Sequence, residues 1–191
     1  MARPKSKDKR NTILSAAASV IAARGVSAST SAISTAAGIA EGTLFTYFKS
    51  KDELINTLYK ELKLGLAATM LDGYPRAGSV RSRMQHIWNK YIDWGMAHPE
   101  QLAVLNKVSV YEGLTDDCRS AAMAPFAEII NLAQDARQQK LLRDIPDPFI
   151  MAMMSAQAEM TMHFIKTEPA NAETYKTMGF EMYWNGIATT H

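Results

Sequence analysis

The stretch AGIAEGTLFTYFKSK, residues 37–51, concentrates side chains whose chemistry suits recognition of another molecule. Its threonine and tyrosine hydroxyls can donate and accept hydrogen bonds, and its two closing lysines attract anions. Its aromatic rings can pack on a sugar or on the methyl group of thymine. The combination indicates binding to a polyanion that also presents apolar surface.

Catalytic and metal chemistry have little support elsewhere in the chain. The four histidines, His86, His98, His163 and His191, are scattered, and there is no HExxH, GxSxG or phosphate-binding glycine loop. The one cysteine, Cys118, excludes an internal disulfide framework and a cysteine metal cluster. We therefore predict a protein that is not an enzyme, that uses no metal or cofactor, and that works in a reducing cytoplasm.

Positive charge is concentrated at the N-terminal end. Residues 1–51 hold eight Lys or Arg and two acids, which gives +6; since the whole chain carries +2, the remaining residues carry −4. One end therefore suits a polyanion and the other does not, the alternative being a loose basic tail of no consequence. No apolar run approaches 18 residues, and none directly follows the basic N-terminus, so neither a membrane span nor a secretory signal is predicted.

Apolar periodicity predicts an all-α chain of about nine helices. Ser29 is a candidate helix cap, Gly38 suits a left-handed helix end, and Ser50 with Glu53 has the spacing of a capping box. Pro125 conflicts with a continuous helix and predicts a kink or a later start. The predicted helices span 8–24, 29–37, 41–48, 51–70, 79–97, 100–112, 117–142, 147–167 and 170–187.

The two short helices on either side of Gly38-Ile39-Ala40 fit a helix-turn-helix. In that unit the second helix enters the DNA major groove, and its first residues meet base edges. Those residues are Glu41, Gly42 and Thr43. We accordingly predict a helix-turn-helix DNA-binding domain over residues 1–50 and a ligand-binding and dimerisation domain over residues 51–191.

The side chains of the second short helix divide by direction. Leu44 and Phe48 are four residues apart and would hold the helix on the domain core. Phe45 and Tyr47 fall on other faces, where Phe45 would meet a sugar or a thymine methyl and Tyr47 a phosphate. The two lysines that follow would extend the phosphate contacts. The alternative is that all three aromatic rings belong to the core of a small domain.

A pattern of fixed spacing covers about the first third of the chain. Through the string Ile33-Ser34-x-x-Ala37-Gly38-Ile39-x-x-Gly42-Thr43-Leu44-Phe45-x-Tyr47-Phe48-x-x-Lys51-x-x-Leu54, the sequence resembles the TetR family of transcriptional regulators. The resemblance implies an all-helical homodimer with one helix-turn-helix per subunit, and a C-terminal domain that binds a small ligand and so releases DNA. The chain departs from the family at Ala40, where Ser or Thr often caps the helix, and at Phe45, which replaces a frequent tyrosine.

The predicted DNA contacts combine side-chain chemistry with this resemblance. The resemblance implies phosphate contacts from Ser29 and Lys51, and recognition-helix contacts from residues 43 and 45–47. The full set of predicted DNA-binding residues is Ser29, Thr30, Glu41, Gly42, Thr43, Phe45, Thr46, Tyr47, Lys49 and Lys51.

An aromatic residue recurs every three positions at Trp88, Tyr91 and Trp94, and each ring alone suits an ordinary core. Segments 51–59, 87–95 and 179–184 are also similar to a drug-sensing branch of the family, which implies a pocket lined by Tyr59, Lys63, Trp88, Tyr91 and Phe164. We add Asp93 and Met160 to that predicted lining. Aromatic faces beside a carboxylate favour flat cationic or amphipathic ligands.

Residues 147–187 are rich in methionine, which suits adaptable surfaces as well as ordinary cores. The family resemblance implies that the last two helices pair with their copies in a four-helix dimer interface. The residues predicted there are Met153, Met162, Phe180, Tyr183 and Trp184. Glu159 and His163 are four residues apart and fit either a structural pair or a proton-sensitive switch.

These expectations combine into one functional prediction: a cytoplasmic, nucleoid-associated bacterial repressor that binds a palindromic operator as a homodimer. A hydrophobic or cationic aromatic molecule would release it by shifting the helix that follows residue 50. Activation in place of repression stays open. The alternatives are an architectural DNA-binding protein that needs no ligand and, less favoured, a ligand-processing enzyme with a DNA-binding appendage.

Overall fold

Helices account for most of the chain in the computed structural model, which describes residues 6–189. The described helices are α1 Lys7–Arg24, α2 Thr30–Ala36, α3 Glu41–Tyr47, α4 Lys51–Leu71, α5 Val80–Ala97, α6 Pro99–Ser109, α7 Asp116–Met123, α8 Ala127–Gln138, α9 Asp147–Thr167 and α10 Ala172–Ile187. Among these residues β pairing is limited to an isolated bridge between Leu142 and Ala188. The all-α class is therefore confirmed.

The predicted helix over 117–142 is divided in the structure. A 3₁₀ turn, Ala124–Phe126, separates α7 from α8. Pro125 lies in that turn, as expected of a residue that lacks an N–H and whose ring clashes with the preceding helical turn. The described residues therefore form ten α-helices. None of those helices is long and apolar enough to cross a membrane.

The described residues form two compact units. The first comprises residues 6–65 and His98–Pro125, and the second comprises Leu66–Ala97 and residues 126–189. The units do not coincide with the predicted division at residue 50. That division stays a prediction about DNA-binding and ligand-binding functions.

In the first unit α6 packs along α1. The Lys107 ammonium donates to the carbonyl of Ala22 in the last turn of α1, and the Ser19 hydroxyl donates to Glu100 Oε2 at 3.0 Å. A cation at a helix C-terminus binds carbonyls that have no partner within the helix. These two polar contacts join α6 to α1 at the edge of the apolar core.

In the second unit α9 and α10 pack together and on α5. The Trp88 ring is fully buried, and its Nε1 donates to the Lys176 carbonyl at 3.0 Å. A Cβ atom on Gly179 would lie 2.3 Å from Thr161 Oγ1 and 2.8 Å from Trp88 Cζ2. Glycine therefore permits the close approach of α10 to both neighbours.

Candidate nucleic-acid interface

The turn between α2 and α3 is built from local signals. Ser29 Oγ accepts a hydrogen bond from the Ala32 amide at 3.1 Å, which confirms Ser29 as the cap of α2. Gly38 has φ +65°, the left-handed conformation predicted for it, and the Ile39 amide donates to the Ser34 carbonyl at 3.0 Å. Ser34 is buried in α2, whereas Ala36 is exposed. The resulting helix-turn-helix presents α3 at the surface of its unit.

Two apolar side chains hold α3 in place. Leu44 and Phe48 are 0% and 2% exposed, as predicted for the side chains that hold the helix on the core. The guanidinium of Arg10 lies 5.8 Å from the centre of the Phe48 ring and forms a 2.6 Å ion pair with Glu61. The end of α3 is thus connected through α1 to α4.

The opposite side of α3 is open to a partner. Glu41, Gly42, Phe45 and Thr46 are exposed, and Phe45 is 44% exposed although it is a large apolar residue. Phe45 is therefore not part of the core, as its direction predicted. The Thr46 hydroxyl donates to the Gly42 carbonyl at 3.1 Å, while Thr43 is half-buried. We name the exposed residues Glu41, Gly42, Phe45 and Thr46 the reading edge.

The predicted phosphate contacts lie at the far end of α3 and at the start of α4. Tyr47 is half-buried, and its hydroxyl accepts a hydrogen bond from the Ser6 amide at 3.3 Å. Lys49 is exposed, and Lys51 is the half-buried first residue of α4. The basic residues Arg3 and Lys5, which the charge argument included, lie outside the described residues.

The start of α4 differs in one contact from the predicted capping box. Ser50 Oγ accepts from the Glu53 amide at 3.0 Å, as expected. The Glu53 carboxylate accepts from the amide of Lys49 at 2.7 Å, one residue before the amide of a standard box. This contact still holds the connection between α3 and α4 in place, and it thereby fixes the positions of Lys49 and Lys51.

The N-terminus of α3 holds a contact that the sequence did not reveal. Ala40 provides no side-chain cap, as predicted. The Thr30 hydroxyl donates to Glu41 Oε1 at 2.5 Å, which connects the first residues of α2 and α3. Both residues were predicted to contact DNA separately. Their eleven-residue separation in sequence gave no signal of this pairing.

Two of the predicted ligand-binding residues, Tyr59 and Lys63, lie in the first unit. The Lys63 ammonium lies 5.7 Å from the centre of the Tyr59 ring. Burial lowers the pKa of Lys63 and is the main cause of the raised pKa of Tyr59. Both effects reflect the cost of holding a charge away from water.

The other predicted ligand-binding residues lie in the second unit and do not share one environment. Trp88 is fully buried and stacks on Tyr183 with ring centres 5.8 Å apart. Tyr91 is buried, and its pKa is raised mainly by that burial and next by the charge of Glu159. Asp93 is exposed and forms a 2.8 Å ion pair with Lys176. Its carboxylate is therefore already paired within the second unit.

The predicted dimer residues need a correction. Met162, Phe180 and Tyr183 are 3%, 0% and 5% exposed, so they form the core of the second unit and offer no surface to a partner. Met153 and Trp184 are half-buried. Their burial was not apparent from the sequence, because α9 and α10 carry apolar residues on several sides.

Most of the exposed apolar residues of α9 and α10 lie on a different face. Helical spacing aligns them along each helix, and two contacts join the helices on this face. The Gln157 amide lies 3.8 Å from the Met182 sulfur, and the rings of Phe164 and Tyr175 are 5.4 Å apart. We name this face the apolar strip, with Phe149, Met153, Met160, Phe164, Met178 and Met182 as its members. Met160 and Phe164, predicted in a pocket, belong to it.

Comparisons with known proteins support this interpretation of the N-terminal unit. Residues 13–58 match the model of the family described as bacterial regulatory proteins, tetR family. The segment includes both helices of the helix-turn-helix and the first part of α4.

Solved structures show the same fold along nearly the whole chain. A chain from Shewanella sp. PV-4 is 22% identical with a TM-score of 0.82, and 95% of this chain matches 99% of that one. A TetR family transcription regulator from Marinobacter aquaeolei VT8 is 20% identical with a TM-score of 0.82, over 95% and 96% of the two chains.

A third structure was determined with a bound molecule. It is the TetR-like transcriptional regulator LfrR from Mycobacterium smegmatis in complex with proflavine. It is 16% identical, has a TM-score of 0.66, and matches over 97% of this chain and 100% of its own. The structures confirm a TetR-like fold, with an N-terminal helix-turn-helix and a C-terminal helical domain.

Proposed function

We propose that this protein is a TetR-family transcriptional repressor that binds a palindromic operator as a homodimer and is released by a small aromatic molecule. The reading edge carries the proposal. Phe45 is 44% exposed on α3 although its neighbours Leu44 and Phe48 are buried, so the helix is anchored on one side and open on the other. A recognition helix needs this division, because it must be held rigidly while its free side meets base edges.

When α3 lies in a major groove, two groups of residues contact different parts of the DNA. The reading edge meets the bases, while Tyr47, Lys49 and Lys51 lie beyond it and meet the phosphates that flank them. Two copies of the domain on one dimer engage half-sites about 34–36 Å apart. The operator is consequently two-fold symmetric, with half-sites about one helical turn apart.

The apolar strip supports the homodimer. Six apolar side chains on one face of α9 and α10 form a contiguous patch, unlike the isolated apolar residues that are normal on a protein surface. A symmetric pair of strips makes a four-helix interface in which the same face meets its copy. This proposal keeps the helices expected from the sequence and replaces the buried residues with the exposed ones.

Ligand control rests on two resemblances. Segments 51–59, 87–95 and 179–184 resemble RamR, an enterobacterial repressor with a broad-specificity drug pocket. LfrR, with the same fold, was solved with proflavine, a planar aromatic dye. We propose an inducer of that chemical class for this cytoplasmic regulator. The inducer binds more tightly to a dimer conformation in which the distance between the two helix-turn-helix domains no longer matches the spacing of the operator half-sites.

One observation favours the ligand-independent alternative, an architectural DNA-binding protein. Trp88 has no exposed surface and is held by a hydrogen bond and by stacking on Tyr183. A ligand that contacts Trp88 must first displace part of this packing. If planar aromatic dyes neither bind the protein nor release its DNA, the architectural function is the better one.

Lys51→Ala tests the DNA-binding surface, with Lys166→Ala as the control because Lys166 is an exposed lysine in the last turn of α9. Affinity for a random-sequence duplex is measured by fluorescence anisotropy at several salt concentrations. Each dimer loses two phosphate contacts in Lys51→Ala, so the slope of log affinity against log salt falls by about 2. The Lys166→Ala slope stays at the wild-type value. Equal slopes for the wild type, Lys51→Ala and Lys166→Ala would show that Lys51 does not contact phosphates and would contradict the proposed DNA-binding surface.

A further inference from the structure

The side-chain pair Thr30 and Glu41 on the helix-turn-helix has a geometry that goes beyond general DNA binding. The Thr30 hydroxyl donates a hydrogen bond to Glu41 Oε1 at 2.5 Å. Glu41 is otherwise exposed at the start of the reading edge. The bond fixes the direction of a side chain that would sample several rotamers on a free helix surface.

The same bond changes the role expected of Thr30. Its one hydroxyl proton is donated to Glu41, so Thr30 cannot donate to a phosphate at the same time. Thr30 is also half-buried, whereas its neighbour Ser29 is exposed. Thr30 therefore contacts the reading edge through Glu41.

The second carboxylate oxygen of Glu41 remains available. Within residues 6–189 the hydrogen bonds of this side chain reduce to the one from Thr30 to Oε1, which leaves Oε2 as an acceptor on the reading edge. The next residue, Gly42, has no side chain to cover it, and a Cβ atom there would meet nothing within 4 Å. A base edge can approach Oε2 from this side.

The chemistry of an ionised carboxylate restricts which base it accepts. It offers acceptors alone, so it needs a donor in the major groove, and cytosine N4 and adenine N6 are the two available. Adenine also presents the acceptor N7 beside N6, and guanine and thymine present acceptors to that groove. Cytosine is the base that offers a donor without an adjacent acceptor.

We propose that Glu41 is a specificity-determining residue that accepts a hydrogen bond from the exocyclic amine of a cytosine in each operator half-site, and that Thr30 positions it. This inference rests on the proposed DNA-binding function. It also accounts for an acidic side chain on a surface that meets phosphates. The carboxylate weakens binding to DNA in general and recovers affinity where a cytosine lies opposite it.

The test is selection of binding sites from a randomised duplex pool, with sequencing of the bound fraction, for the wild type, Glu41→Gln, Thr30→Val and Thr30→Ser. Glu112→Gln is the matched control, because it removes an exposed carboxylate from the same unit outside α2 and α3. Circular dichroism checks that each variant is folded. The altered side chains lie at the surface, and a general loss of folding would lower selection at every position alike.

We expect the wild type to select a symmetric site with cytosine at one position in each half. Glu41→Gln lowers the preference for that cytosine about tenfold, toward adenine, which glutamine binds through two hydrogen bonds. Thr30→Val selects the same base less strongly, Thr30→Ser restores the preference, and Glu112→Gln leaves it unchanged.

Two results would overturn the assignment while leaving the proposed function intact. One is a symmetric site that Glu41→Gln selects with unchanged base preferences at every position. The other is a site at which Glu41→Gln alters the preference for a base other than cytosine. A wild type that selects no sequence at all contradicts the proposed function itself, and the role of Glu41 with it.

Discussion

Replacing Met182 with glutamate should separate the proposed dimer into monomers. Met182 is 57% exposed at the centre of the apolar strip, next to Gln157. Burying a whole methionine contributes about 1.5–3 kcal/mol, so burying its exposed half contributes about 1 kcal/mol. A symmetric interface contains the residue twice and loses about 2 kcal/mol, which corresponds to a dissociation constant about 30-fold higher. The cost of burying two carboxylates adds to this figure.

The control for Met182→Glu is Met151→Glu. Met151 is 53% exposed, close to the exposure of Met182, but it faces away from the apolar strip on α9. Sedimentation velocity over a range of protein concentrations measures the dissociation constant of each variant. We expect Met151→Glu to remain dimeric at concentrations where Met182→Glu is monomeric. If both variants dissociate alike, or if neither does, the apolar strip is not the interface.

Two further predictions concern stability and ionisation. Gly179→Ala places a methyl group against Thr161 and Trp88, and overpacking of this kind costs about 1–3 kcal/mol. Since alanine favours the helix by about 1 kcal/mol over glycine, we expect a net loss of up to about 2 kcal/mol in the free energy of unfolding measured by chemical denaturation. A midpoint raised above that of the wild type would contradict this expectation. The hydrogen bond to Asp52 raises the pKa of Tyr111 to about 12, so that bond is intact below the ordinary tyrosine pKa and is lost as pH rises through about 12. In an ultraviolet titration Asp52→Asn should move this ionisation down toward the ordinary value, and a transition that stays near 12 would rule out Asp52 as its cause.

The local features of the helix-turn-helix were predictable because they depend on neighbouring residues. Ser29, Gly38 and the buried pair Leu44 and Phe48 each answer a requirement set within one or two turns of chain. The Thr30 bond to Glu41 was not predictable. It depends on how two helices cross, which no residue spacing encodes.

The C-terminal residues show a different limit of sequence reasoning. Phe180 and Tyr183 were expected at a dimer interface but are buried, whereas Phe164 was expected in a pocket and is 43% exposed. Both α9 and α10 carry apolar residues on several of their own sides. Hydrophobicity alone therefore does not show which of these residues lie in the core, in a pocket or at an interface. Packing against α5 decides which side is buried, and Trp88 occupies that side.

Sequencing the genomic DNA that the purified protein retains tests the central claim most directly. Fragmented DNA from the source bacterium is incubated with the protein at moderate salt, and the retained fragments are compared with the input. We predict enrichment of a few fragments that share a two-fold symmetric sequence whose half-sites lie about one helical turn apart. If the retained DNA has the same sequence distribution as the input at every salt concentration tested, the protein is not a sequence-specific regulator.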